Sequence, residues 1–94
     1  MQLRLDDIAV FVRVAELGTL SAVARERDIP VSQVTRSLAR LEALCGARLM
    51  HRSTHGLSLT DEGDTLLAYG QRLLETAAEL SGEIGRNVSG PSGW

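Results

Sequence analysis

Lysine is absent from this chain, and all ten of its basic side chains are arginine. Aromatic residues are almost as scarce, since Phe11, Tyr69 and Trp94 make up only 3% of the 94 residues. A hydrophobic core must therefore be built from leucine, valine, isoleucine and alanine. Hydrophobic residues account for 44% of the chain, which is enough for one small domain with one core.

The sequence offers no basis for a disulfide or a membrane span. The single cysteine, Cys45, excludes a disulfide within the chain and fits a reducing compartment. No apolar run approaches the ~18 residues that a membrane-spanning helix needs. Acidic residues stand near the N-terminus, where a signal peptide has a basic flank and an unbroken apolar stretch. We therefore expect a cytoplasmic protein with no membrane partner.

Catalytic and metal chemistry have little support. We find no paired carboxylates at a plausible pocket, no glycine-rich phosphate loop and no nucleophile with a visible base. No catalytic residue, no cofactor and no metal are therefore predicted. Cys45, His51 and His55 could suggest zinc, which needs three or four ligands that converge on one point. Cys45, however, falls on an apolar stripe, so a structural cysteine is the favoured interpretation.

The charges are unevenly distributed along a chain whose formal net charge is −2. Residues 25–55 contain six arginines against three acidic residues, whereas residues 56–94 contain two arginines against six acidic residues. This positive middle third favours a polyanionic partner, although an ordinary solvated surface explains a surplus of three charges about as well.

Two helices are predicted before the first proline. Asp6 can cap the first helix, and Gly18 is suited to end it. Thr19 or Ser21 can cap a short second helix, which must end before Pro30 because the residue preceding a proline is disfavoured in helical geometry.

The third helix is predicted to run from Val31 or Ser32 to Cys45, with Gly46 ending it. Four apolar positions at helical spacing form a stripe that we expect to be buried: Val34, Leu38, Leu41 and Cys45. The polar residues of the first half of this helix, including Arg36, are then left facing solvent.

A hairpin and a long helix complete the chain. Short strands at 49–52 and 57–60 flank the sequence STHG, in which Gly56 suits a positive φ. Thr60 can cap the final helix, whose first turns are acidic as the helix dipole favours. The final residues, NVSGPSGW, are typical of a linker.

This order of elements is that of a winged helix-turn-helix. Two short helices across a tight turn form the helix-turn-helix, whose second helix enters the major groove of DNA, and the hairpin that follows is the wing. We therefore predict a mainly α fold. The winged helix-turn-helix would span residues 1–59, a linker and dimerisation helix residues 60–86, and a flexible linker residues 87–94.

The stretch VTRSLARLEALCGARLMHRSTHGLSLTDEG resembles the N-terminal DNA-binding domain of LysR-type bacterial transcriptional regulators. The similarity covers about residues 3–82. The resemblance implies a regulator that binds double-stranded DNA at the bacterial nucleoid. It also implies that the chain is a fragment, so a small-molecule effector would act only through a missing domain. The matching residues are Val34, Thr35, Arg36, Leu41, Glu42, Gly46, Arg48, Leu49, Arg52, Ser53, Gly56, Leu59, Thr60 and Gly63.

Three positions depart from the pattern of that family. Val31 stands where a base-reading glutamine is frequent, which leaves the preferred DNA sequence open. His55 replaces an arginine that is common at the wing tip, so a minor-groove contact would be weaker or dependent on pH. Arg27 replaces an apolar residue, although its aliphatic stem can still pack.

Nine residues are candidates for contacts with DNA. Arg36 leads them, because a guanidinium matches O6 and N7 of guanine. Ser32 could equally be only a helix cap, Arg40 could pair near Glu42 instead of reaching phosphate, and Thr54 could be an ordinary polar turn residue. The full set is Ser21, Ser32, Gln33, Thr35, Arg36, Arg40, Arg52, Thr54 and His55.

The final helix carries apolar or small residues at alternating spacings of four and three, which is typical of a helix-pairing seam. We predict that two copies form a homodimer along this seam and present two recognition helices to successive major grooves. The seam consists of Leu66, Gly70, Leu73, Ala77, Leu80 and Ile84.

Two other classes of protein compete with this interpretation. A winged-helix module that binds proteins would use the same fold, but it would not need exposed arginines on its third helix. An enzyme is less favoured still, because so short a chain can scarcely enclose a pocket.

Overall fold

The computed structural model describes residues 2–89, and the side chains of residues 2–85, as four helices and a hairpin. In chain order these are α1 (Leu5–Leu17), α2 (Leu20–Arg27), α3 (Val31–Cys45), β1 (Met50–Ser53), β2 (Gly56–Leu59) and α4 (Asp61–Ser89). The two strands pair antiparallel, with Met50 opposite Leu59 and Ser53 opposite Gly56. The predicted mainly α fold, with a winged helix-turn-helix and a long final helix, is confirmed.

Local chemistry sets the ends of the first three helices largely as the sequence predicted. Gly18 ends α1 at φ 86° and Gly46 ends α3 at φ 67°, in the left-handed conformation that glycine adopts without strain. Thr19, rather than Ser21, caps α2, because its Oγ1 accepts a hydrogen bond from the N–H of Ala22 at 3.1 Å.

The start of α4 is as predicted, but the start of α1 is not. Oγ1 of Thr60 accepts a hydrogen bond from the N–H of Gly63 at 2.9 Å and so caps α4. The prediction that Asp6 caps α1 is wrong, because Arg4 holds the N-cap position and Asp6 lies within the first turn. The carbonyl of Arg4 already accepts a helical hydrogen bond from the N–H of Ile8 at 3.1 Å.

The core is a small aliphatic cluster centred on α1. The predicted stripe of α3 faces it, with Val34 and Leu41 fully buried and Leu38 and Cys45 half-buried. Burying these side chains supplies the main favourable free energy of folding. The buried hydrophobic residues are Ile8, Val10, Phe11, Val12, Val14, Val23, Ala24, Val34, Leu41, Leu49 and Met50.

Two glycines bring α4 close to the rest of the domain. A Cβ added at Gly63 would collide with the backbone carbonyl of Leu49. A Cβ added at Gly70 would lie 3.0 Å from Cγ2 of Ile8 and 3.2 Å from Cγ2 of Val12. The prediction that Gly70 belongs to the seam between two copies is therefore wrong, because Gly70 faces α1 of its own chain. The first half of α4 shares the core of residues 1–59.

The second half of α4 extends the molecule, which measures 58 × 28 × 20 Å. The helix continues to Ser89, three residues past the predicted end at 86, so residues 87–89 are helical rather than part of a flexible linker. Residues 90–94, which complete the predicted linker, lie outside the described residues.

Candidate nucleic-acid interface

The outer face of α3 carries an arginine that no neighbour neutralises. Thr35 and Arg36 are exposed on the side of the helix away from the buried Val34. Among the described residues, no side chain forms a hydrogen bond or ion pair with Arg36. Arg13 differs, because its guanidinium lies 2.6 Å from a carboxylate oxygen of Glu26. The charge of Arg36 is therefore available to an external anion.

The first turn of α3 begins without a side-chain cap. Pro30 holds the N-cap position at φ −65° and ψ 148°, and the N–H of Gln33 donates to its carbonyl at 3.0 Å. Ser32 lies within the first turn, so the alternative that it serves only as the cap is wrong. The hydroxyl of Thr35 donates to the carbonyl of Val31 at 3.1 Å, which leaves its oxygen free to accept a hydrogen bond. Ser32 and Gln33 are both exposed.

Arg40 is held by a buried carboxylate on α1. Its Nε and Nη2 donate to Oδ2 and Oδ1 of Asp7 at 3.0 and 2.9 Å. The side chain of Asp7 is 2% exposed, whereas that of Arg40 is 47% exposed. The hydrogen bonds from Arg40 outweigh the effect of burial and hold the pKa of Asp7 below its ordinary value of 3.8. This fork-to-fork pair fixes α3 against α1.

The alternative that Arg40 pairs near Glu42 is wrong, because its guanidinium bonds to Asp7. Glu42 instead accepts a hydrogen bond from the N–H of Leu49 at 2.8 Å, and its Oε2 lies 3.6 Å from Nε of Arg48. This carboxylate therefore joins α3 to the segment that leads into the wing. Both acidic partners of the α3 region, Asp7 and Glu42, fix the position of the helix and leave Arg36 unpaired.

A cleft of about 320 Å³ lies where the wing, the start of α2 and the start of α3 meet. Ser21, Val31 and Arg52 all line it, so the fold brings together residues that are far apart in sequence. Ser21 is exposed in the first turn of α2, where Thr19 already satisfies the cap. Its hydroxyl is therefore free to meet a phosphate.

The wing is buried at its base and exposes polar side chains towards its tip. Met50 is buried at the base, while Arg52 and the turn residues Thr54 and His55 are exposed. Oγ of Ser53 accepts a hydrogen bond from the N–H of His55 at 3.1 Å, which braces the turn. The predicted left-handed glycine of the turn, Gly56, has φ 105°. The candidate wing residues thus lie together at one edge.

An apolar stripe runs along the exposed side of α4. Of the predicted seam, Leu66 packs against the core and Ala77 is half-buried, whereas Leu73, Leu80 and Ile84 are exposed. Leu80 is 61% exposed. Tyr69, which the heptad spacing missed, also lies exposed on α4, with its ring 4.5 Å from the guanidinium carbon of Arg72. It stands four residues before Leu73, a spacing that could have revealed it.

Other kinds of site are not seen in the described part of the chain. No group of three His, Cys, Asp or Glu side chains within residues 2–85 converges as metal ligands would. Within residues 2–89, none of the helices combines the length and apolar character needed to cross a membrane.

Solved structures with this fold include DNA complexes. The BenM DNA-binding domain bound to catB site 1 DNA superposes with a TM-score of 0.87 at 25% identity, covering 93% of this chain and 98% of that one. The CbnR DNA-binding domain in its DNA complex superposes with a TM-score of 0.80 at 32% identity, covering 92% and 98% of the two chains.

Curated relatives are transcriptional regulators of greater length. The probable HTH-type transcriptional regulator LtrA of Klebsiella pneumoniae is 41% identical over 81 residues, covering 86% of this chain and 26% of the relative. The HTH-type transcriptional regulator CrgA of Neisseria meningitidis serogroup B is 36% identical over 84 residues, covering 89% and 28%. The chain thus spans about a quarter of the length of the curated relatives it matches.

A family description fits most of the described chain. The model for the bacterial regulatory helix-turn-helix proteins of the lysR family matches residues 5–64, from the start of α1 into the first turn of α4. The match confirms the resemblance inferred from the sequence and the prediction of a regulatory helix-turn-helix domain. The chain belongs to the lysR family of bacterial regulatory helix-turn-helix proteins.

Proposed function

We propose that this chain binds specific sites on double-stranded DNA and so directs a transcriptional regulator to its genes. The observation that carries this proposal is the unpaired Arg36 on the outer face of α3, the second helix of the helix-turn-helix. A planar guanidinium in the major groove can donate two hydrogen bonds to O6 and N7 of guanine. The neighbouring Ser32, Gln33 and Thr35 are exposed and can meet base edges or phosphates.

The cleft between the wing and α2 supports a path for the DNA backbone. Ser21 and Arg52 line it together, one as a hydroxyl donor and the other as a cation. Thr54 and His55 continue this surface at the tip of the wing. Such contacts hold the protein in register on the duplex but carry little sequence information. We therefore assign base recognition to the start of α3 and phosphate or minor-groove contact to the wing.

Arg40 has a different part in this proposal. Two of its three guanidinium nitrogens bond to Asp7, so it serves first to hold α3 at a fixed angle to α1. Its side chain is still half-exposed, and the remaining nitrogen can reach a phosphate at the edge of the interface.

We further propose that two copies pair through the exposed stripe of α4. Leucines left in water lose the free energy that burial would provide, in proportion to their apolar area. The stripe, defined by Tyr69, Leu73, Leu80 and Ile84, offers a self-complementary surface for a two-fold homodimer. Two recognition helices would then face successive major grooves.

The relatives support a longer regulator that acts in the cytoplasm of a bacterium, at the nucleoid. This chain matches only about a quarter of their length, so an effector-binding domain would lie in the remaining part of the protein. A small-molecule effector would act on the DNA-binding domain through that part.

Fluorescence anisotropy with labelled duplexes tests the proposal. Sites enriched from a random duplex library by the chain are compared with scrambled duplexes over a range of salt concentrations. Because each phosphate contact releases counterions, the logarithm of affinity should fall with the logarithm of salt concentration at a slope of about −0.9 per contact. Absence of binding to any duplex at low salt would contradict the proposal and favour a protein-binding winged-helix module.

A further inference from the structure

Val31 is an apolar side chain at the exposed beginning of the recognition helix. It is 42% exposed at the first position of α3, next to the polar Ser32 and Gln33. The exposed part of this side chain is available to an external apolar group. The other exposed large hydrophobic side chains lie near the N-terminus, at the C-terminal ends of α1 and α3, and along α4: Leu3, Leu5, Leu17, Leu44, Tyr69, Leu73, Leu80 and Ile84.

The position of Val31 is fixed by its surroundings. Pro30 precedes it at φ −65°, and the carbonyl of Val31 accepts a hydrogen bond from the hydroxyl of Thr35 at 3.1 Å. A valine in a helix has one strongly preferred χ1 rotamer, so its two methyl groups point in a defined direction. Val31 also lines the cleft shared with Ser21 and Arg52, the residues assigned to the DNA backbone.

The chemistry of the side chain selects one feature of the major groove. Valine can neither donate nor accept a hydrogen bond, so it gains nothing from the polar atoms of adenine or guanine. Thymine alone presents a C5-methyl group there, and apolar side chains pack against it. Cytosine would instead expose an amino group that valine leaves without an acceptor, which costs binding free energy.

We propose that Val31 recognises one thymine in each half-site through contact with its C5-methyl group. This inference rests on the proposed DNA binding and adds a specificity determinant to it. Because Val31 faces the cleft that Arg52 also lines, the thymine lies on the wing side of the base contacted by Arg36.

The test combines a protein variant with a modified base. Wild-type protein is used to select binding sites, and each thymine of the selected site is then replaced by deoxyuridine, which lacks only the methyl group. Affinities of wild type and Val31→Ala are measured for both duplexes. At one position, deoxyuridine should weaken wild-type binding about fourfold, equivalent to the ~0.8 kcal/mol of one buried methyl group.

Val31→Ala should lose a similar factor on the thymine site and be indifferent to deoxyuridine at that position. The affinity of Val31→Ala for scrambled duplexes should equal that of the wild type, and this comparison is the control for an intact fold. The proposal is overturned if deoxyuridine has no effect at any position, or if Val31→Ala keeps the full sensitivity of the wild type. Either result leaves the proposed DNA binding intact, whereas failure to enrich any site would count against that function itself.

Discussion

Arg36 and Arg40 stand one helical turn apart on α3, yet their surroundings differ. Arg40 is bound by Asp7 through two hydrogen bonds of 3.0 and 2.9 Å, whereas Arg36 has no partner among the described residues. The same residue type thus fixes the helix at one position and remains available for recognition at the other. Mutations at the two sites should be distinguishable by whether they alter stability or DNA preference.

Replacing Arg36 with alanine should lower the affinity for a selected site by ~1–3 kcal/mol, because a paired contact with guanine is lost. Arg36→Lys is the matched variant, since it keeps the charge but loses the planar fork. We expect Arg36→Lys to bind scrambled DNA like the wild type while losing most of its preference for the selected site. Equal losses on both duplexes would reduce Arg36 to a phosphate contact. Anisotropy titrations measure both.

Replacing Asp7 with asparagine should destabilise the fold by ~1–3 kcal/mol at neutral pH, because the charged hydrogen bonds to Arg40 are lost. The cost should stay below that of breaking a fully buried pair, since Arg40 is 47% exposed and keeps contact with water. Urea unfolding at fixed protein concentration measures this change. Asp6→Asn, an exposed neighbour, is the control and should cost less than about 1 kcal/mol.

The same pair should make stability depend on pH. The pKa of Asp7 is lower in the folded than in the unfolded chain, so protons bind the unfolded chain more tightly. The stabilisation is therefore complete above the ordinary value of 3.8 and is lost as the pH falls below it. The difference in unfolding free energy between wild type and Asp7→Asn should shrink in that acidic range. A difference that stays constant down to about pH 2 would contradict this assignment.

At the scale of single residues, the sequence predicted the exposure of a side chain, which depends on the local pattern, but not a partner that is distant in the chain. The exposure of Arg36 followed from its position opposite the apolar stripe of α3. The partner of Arg40 was missed because Asp7 is 33 residues away in sequence. One signal was available, since Asp7 stands four residues before Phe11 and so falls on the buried face of α1. A carboxylate on that face must find a cationic partner or remain costly to bury.

At the scale of elements, helix ends that depend on a glycine or a hydroxyl were predictable. Gly18, Gly46 and Thr60 act where the sequence placed them. The start of α1 was not, because Arg4 holds the N-cap position without a capping side chain and Asp6 lies within the first turn. A residue type that suits a cap therefore does not by itself locate the first residue of a helix.

The wing as an element should contribute affinity without sequence preference. Arg52→Ala should weaken binding to selected and scrambled duplexes by the same factor and reduce the magnitude of the salt slope by about one, as expected for one lost phosphate contact. Arg13→Ala changes an arginine of α1 that pairs with Glu16 and Glu26 outside this surface, and it should leave the slope unchanged. A loss confined to the selected site would instead give Arg52 a role in reading bases.

At the scale of the whole molecule, the helical repeat of α4 predicted one apolar surface. It did not predict that part of this surface packs against α1 while the rest is exposed. Gly70 belongs to the contact with α1, while Leu73 and Leu80 face outward. These positions are close on a helical projection, so the sequence could not separate them without knowing where α1 lies. The exposed Tyr69 extends the outward surface towards the domain.

The stripe of α4 should hold two copies together. Replacing both Leu73 and Leu80 with aspartate should give a folded monomer that loses tight binding to DNA with two half-sites, since two carboxylates cannot be buried at a helix seam. Ala68→Asp with Ala78→Asp makes the same chemical change at exposed positions off the stripe and should leave the dimer intact. Sedimentation equilibrium measures the mass. A wild-type chain that stays monomeric at high micromolar concentration would contradict the proposal.

Hydroxyl-radical footprinting on a selected duplex tests most directly whether this chain recognises DNA through α3 as a two-fold dimer. We expect two protected segments on one face of the duplex, with centres about one helical turn (34–36 Å) apart, each next to a base pair whose change abolishes binding. At a concentration that just saturates the wild type, the Arg36→Ala protein should give a clearly weaker footprint, as its expected loss of ~1–3 kcal/mol in affinity requires. Uniform protection, or none, on every selected duplex at saturating wild-type protein would contradict the central claim.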